Sequence, residues 1–137
     1  MDVKKITFGG IITGSILLVL MVVINMTMNI IIPVDLSSYG GMRAMNDPVM
    51  LLFFFYPFVV AFAAAVVFDR VKDSLIGTQM QKGLGFGCIL LTIMTIPSLY
   101  VMYTSMTWPL DFYITTALWE ILSFPLAGII FARIWKL

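Results

Sequence analysis

The chain has 137 residues, of which 61% are hydrophobic and 11% charged, and its mean hydropathy of +1.06 is far above that of an ordinary soluble domain, so a water-soluble monomer is excluded. Eight basic and seven acidic residues nearly cancel, and there is no histidine, so a basic surface for nucleic acid has no support. A single cysteine, Cys88, excludes an internal disulfide, a CxxC redox pair and a structural zinc site.

Crossing about 30 Å of hydrocarbon takes about 20 apolar residues as helix, because every backbone N–H and C=O must be satisfied within the segment. Residues 6–32 form the first predicted span. It is too long for the apolar core of a secretory signal and lacks a small-x-small cleavage site before Pro33, so it reads as a retained helix. Gly10 and Gly14 give it a small-residue face for close helix approach, and Asn25, Thr27 and Asn29 near its far end are expected to bond across helices. In the following loop, 37–47, Tyr39-Gly40-Gly41 predicts a turn. Arg43 lies near Asp35, Asp47 and Asp111, an arrangement suited to an Arg–Asp contact that pins the loop.

The second span is 49–68 and carries Tyr56-Pro57. The third, 84–106, follows directly on Gly83 and contains Gly87 and Pro97-Ser98. The fourth, 112–134, contains Thr116, Glu120 and Pro125. Trp108, Tyr103, Tyr113 and Trp135 fall at the predicted membrane–water boundaries, where amphipathic rings are favoured. The expected fold is an all-α, antiparallel four-transmembrane-helix bundle forming one integral membrane domain over residues 1–137.

Seven of the eight basic residues, Lys4, Lys5, Arg70, Lys72, Lys82, Arg133 and Lys136, fall on one side of such a chain. The positive-inside bias then puts both termini in the cytoplasm, with the chain in a cell inner membrane. Shifting the sequence by 73 positions lays Gly10, Gly14, Ile16, Leu17, Leu18 and Met21 on Gly83, Gly87, Ile89, Leu90, Leu91 and Met94. Pro33-Val34-Asp35-Leu36 corresponds to Pro109-Leu110-Asp111-Phe112 after a three-residue insertion. The expectation is two tandem helical hairpins, about 6–70 and 82–135, sharing one orientation. The spaced glycines would bring the first and third helices together, or join the chain to another subunit.

Glu120 is the one ionisable side chain deep in a predicted span; nine residues from Asp111 at about 1.5 Å each put it about 13 Å below the boundary. A carboxylate there is costly unless it faces protein or water, or is protonated. Tyr56 and Ser98 fall at similar depth, each close to a proline, and Thr116 lies one turn from Glu120 on the same face. These four residues form the candidate ligand or proton site, either as a structural lock of hydrogen bonds or as a working cavity. Met26, Met28, Met42, Met45, Met50, Met102 and Met106 cluster toward the opposite end from the termini, but without histidine or a nearby cysteine a copper site is the weaker reading and packing the stronger. No cofactor is implied.

No Ser/His/Asp set, carboxylate cluster or phosphate loop is present, so intramembrane catalysis on a lipid-like substrate stands last among the functional readings. Ahead of it stand a small-molecule or ion/proton-coupled transporter or membrane ligand-binding protein, and a scaffold or accessory subunit of a membrane complex. The expected partners are the lipid bilayer, further copies of the chain or other membrane proteins.

Overall fold

A computed structural model describes residues 2–33, 40–41, 43 and 46–136. The expectations for Val34-Asp35-Leu36, Tyr39, Met42 and Met45 lie outside the described residues. Those described are helical and turn segments with no strand, and four helices are long and apolar enough to cross a membrane: Val3–Ile31, Pro48–Ser74, Gln79–Ser105 and Leu110–Trp135. The chain is a multi-pass helical membrane protein.

The first span is the single helix α1, Val3–Ile31. The Asp2 carboxylate caps it by accepting from the Lys5 N–H at 3.1 Å. It stops before Pro33, whose ring disfavours helical geometry in the preceding residue. Asn25 and Thr27 donate to the carbonyls of Met21 and Val23 in their own helix rather than across to a neighbour, contrary to expectation. They sit on exposed or half-exposed helix surface, where the carbonyl four residues back is the acceptor within reach.

The second span has two parts. Asp47 accepts from the Val49 N–H at 2.9 Å and pairs with Arg43 at 3.0 Å, which starts a 3₁₀ helix over Pro48–Phe55. The Val49 N–H, with Arg43 behind it, holds the Asp47 carboxyl below the usual carboxylate range. From Tyr56 the chain continues as α2, Tyr56–Val71, with Pro57 in its first turn. A short 3₁₀ turn, Lys72–Ser74, leads to Gly77, whose φ of +105° suits a residue without Cβ. Thr78 and Gln81 then form a reciprocal capping box that starts α3, Gln79–Leu90.

The third span is broken by a π-helical turn, Leu91–Thr95, before it resumes as α4, Ile96–Ser105. Pro97 lacks the N–H that an α-helical ladder would use here, and the wider turn absorbs the clash of its ring with the preceding turn. The fourth span is α5, Leu110–Trp135, with Pro125 inside it.

The helices pack as two pairs, α1 on α2 and α3 on α5, joined along α1 and α5. Glycines set both pairs. A Cβ on Gly10 or Gly14 would run into the Phe62 or Phe58 ring of α2. On Gly83 it would meet the Ile129 Cα of α5 at 2.7 Å, and on Gly87 the backbone of Pro125. Gly10 and Gly14 of α1 therefore face α2, and Gly83 and Gly87 of α3 face α5, rather than each other. In lipid, where helices gain little from hydrophobic contact, such close approach supplies the van der Waals attraction.

The end carrying both termini is closed by the Phe68, Phe86, Phe131 and Trp135 rings, with centroids of Phe68 at 5.0, 5.6 and 5.4 Å from the other three. The opposite end is tied more lightly, by the Trp108 indole N–H to the Gly40 carbonyl at 3.2 Å and by the Tyr113 hydroxyl to the Met102 and Met106 carbonyls. Neither the 3₁₀ helix Pro48–Phe55 nor α4 buries a residue.

Candidate functional site

Two of the four spans leave α-helical geometry at one depth, and a third carries a proline little more than a turn beyond it. Tyr56 stands where the 3₁₀ helix gives way to α2, Thr95 closes the π turn, and Glu120 precedes Pro125 by little more than a turn. At about 1.5 Å per α-helical residue and about 2 Å per 3₁₀ residue, all three lie about 15 Å from the ends opposite the termini. Pro125 removes the N–H that would have paired with the Ile121 carbonyl next to Glu120.

Glu120 is only 5% exposed and Thr95 6%, and the Thr95 hydroxyl is set beside the Glu120 carboxyl by the π turn. Ser123, three residues on from Glu120 and fully buried, lies on the same face of α5. By strict hydrogen-bond geometry Glu120 Oε2, Thr95 Oγ1, Ser123 Oγ and the Trp119 indole N–H are unpartnered, although the Thr95 hydroxyl stands close enough to the Glu120 carboxyl to interact with it. Thr13 Oγ1 of α1 is likewise buried and unpartnered, about as far from the terminal end as Ser123. Buried polar groups are nearly always paired, and an unpaired one costs about 1–3 kcal/mol, more if charged. Gathering several around one carboxyl is therefore the most informative feature of the molecule.

The residues expected from sequence distribute unevenly around this cluster. Tyr56 stands near Glu120 and packs its ring on Trp119, centroids 5.5 Å apart, without a hydrogen bond to the carboxyl. Ser98 is half-buried and donates to the Thr95 carbonyl at 3.1 Å, so it repairs the broken turn of its own helix instead of reaching Glu120. Thr116 is half-buried one turn before Glu120. Thr95, Trp119 and Ser123 were not singled out from sequence; the available signals were Thr95 two residues before Pro97 and Ser123 three residues after Glu120.

The second polar centre lies at the terminal end and was also missed. Asp69, 5% exposed, accepts from the Trp135 indole N–H at 2.8 Å, the Lys72 ammonium at 2.9 Å and the Asp2 backbone N–H at 3.2 Å. Trp135, expected at a boundary, closes the fourth span but is buried there, because its N–H finds an acceptor inside the bundle. Every donor around Asp69 is used, which marks it as a clamp between the first, second and fourth spans.

Two shallow hollows lie on the surface: one of about 320 Å³ lined by Cys88, Ile89, Thr92 and Ile93, and one of about 180 Å³ between α1 and α5 lined by Val23, Ile24, Thr27, Met28, Leu118 and Leu122. Glu120 lines neither. Among the described residues no group of three or more His, Cys, Asp or Glu is placed to hold a metal ion. Compared with known proteins, the chain matches no protein-family model, no curated protein and no solved structure.

Proposed function

We propose that the chain is a small ion- or proton-coupled membrane transporter or ligand-binding protein that works through Glu120. The observation that carries the reading is a buried mid-span carboxyl whose Oε2 makes no hydrogen bond of good geometry, with the buried Thr95 hydroxyl next to it and the buried, unpartnered Ser123 hydroxyl on the same helix face. A carboxylate held in hydrocarbon costs several kcal/mol, which favours taking up a proton or a cation and releasing it when the surroundings become polar. Two spans that leave α-helical geometry at that depth, with Pro125 nearby in a third, supply the irregular backbone with which membrane helices accommodate such a site.

The reading places both termini and the Asp69 clamp in the cytoplasm, in a cell inner membrane, because seven of eight basic residues lie at that end. The tighter packing there, against the unburied 48–55 and 96–105 segments, supports access to Glu120 from the outer side. Two hairpin repeats are supported by the common use of first-helix glycines against the second helix. Four spans enclose no wide pore, so the transporting unit is proposed to hold more than one copy. A scaffold or accessory subunit is the competing reading, and it has no use for an unpaired Glu120.

The test is proton flux into proteoliposomes loaded with a pH-sensitive dye, driven by a K⁺/valinomycin potential and, separately, by a Na⁺ gradient. Wild-type protein is expected to conduct protons and Glu120→Gln, at equal incorporation and melting temperature, to lose at least nine-tenths of that flux. Equal flux in the two proteins, or none in wild type, overturns the reading in favour of the scaffold.

A further inference from the structure

The unused polar atoms around Glu120 are mostly acceptors. Thr95 Oγ1, Ser123 Oγ and Glu120 Oε2 each offer an oxygen, come from two different spans, and are buried to 6, 0 and 5% exposure at the residue level. Beside them, the Ile121 carbonyl has lost its ladder donor to Pro125. Two hydroxyls and one carboxylate, beside a turn where Pro125 withholds one ladder donor, form a hard-oxygen donor set. Soft metals would ask for thiolate or imidazole, and none is present in this cluster.

Charge chooses among the hard ions. A single carboxylate neutralises one positive charge, whereas a divalent ion would leave a net charge buried in hydrocarbon and normally recruits several carboxylates. The cluster is also sealed, with every donor side chain over nine-tenths buried, which favours an ion of small radius. We infer that Thr95, Glu120 and Ser123 form a binding site for Na⁺, with the hydroxyls replacing part of its hydration shell and Glu120 its charge partner. The inference deepens the proposed role of Glu120 and rests on it: the carboxyl would exchange Na⁺ for a proton. Tyr56 is the other titratable group facing Glu120 and contributes no charge to the site when neutral.

The site can be tested on purified protein in mild detergent at constant ionic strength, by replacing choline chloride with NaCl or KCl and following thermal unfolding, together with equilibrium binding of ²²Na⁺. Na⁺ is expected to raise the melting temperature saturably and K⁺ and choline to have no such effect. Thr95→Val and Ser123→Ala should each weaken the Na⁺ midpoint tenfold or more, and Glu120→Gln should abolish the response. In choline alone Thr95→Val, which keeps the size of the side chain, should fold with the helicity of wild type, so loss of its Na⁺ response cannot be ascribed to misfolding.

Equal responses to Na⁺, K⁺ and choline, or an undiminished Na⁺ response in both hydroxyl variants, overturn the inference. Proton flux that depends on Glu120 without any Na⁺ response sinks the Na⁺ site while leaving the proposed function standing. Loss of both sinks both.

Discussion

Two acidic residues of this chain are almost equally buried, yet their surroundings assign them opposite roles. Asp69 is met by an ammonium, an indole N–H and a backbone N–H, and its charge is balanced where it stands. Glu120 has the Thr95 hydroxyl beside it, but its Oε2 makes no hydrogen bond of good geometry. Removing one partner of a buried, satisfied group leaves the rest stranded, so Asp69→Ala is expected to destabilise the protein by about 2–4 kcal/mol, and Asp69→Asn, which keeps an acceptor for Trp135, by clearly less. Equilibrium unfolding in mixed micelles measures both. Equal losses would mean that the Lys72 charge pair, and not the indole bond, dominates the clamp.

At the scale of the helix, glycine and proline divide the work. Glycines in α3 bring its backbone against α5, while Pro97 and Pro125 disturb the hydrogen-bond ladders just where the polar cluster sits. Gly87 and Gly85 provide a matched pair: a methyl group on Gly87 collides with the Pro125 backbone, whereas one on Gly85 meets nothing within 4 Å. Gly87→Ala is expected to cost about 1–3 kcal/mol by forcing α3 from α5. Gly85→Ala should shift stability by at most about 1 kcal/mol. The two thermal melts, run side by side, give the answer. The prolines were visible in the sequence, but the π turn was not, because one extra residue in a turn leaves the apolar pattern of a fully apolar helix unchanged.

For the molecule as a whole, the packing is lopsided along the membrane normal. Rings of Phe68, Phe86, Phe131 and Trp135 interlock at the terminal end, while residues 48–55 and 96–105 contribute no buried side chain at the other. Local opening follows local packing. Hydrogen–deuterium exchange in micelles should therefore be slowest over 57–71, 79–90 and 119–135, and at least tenfold faster over 48–55 and 96–105. Uniform protection along all four spans would contradict this asymmetry.

What the amino-acid sequence determined unaided was the number of spans, their limits to within a few residues at most ends, and the place of Glu120 near the middle of the fourth, because the bilayer imposes a length and an apolar composition on each crossing segment regardless of what packs beside it. The helix pairing, the partners of Asp69, the inward turn of Thr95 and the removal of Ser98 from the site were decided only by tertiary structure. In a helix that is apolar on every side, periodicity does not say which face meets protein, so burial follows from where glycine admits a neighbour and where proline turns the chain.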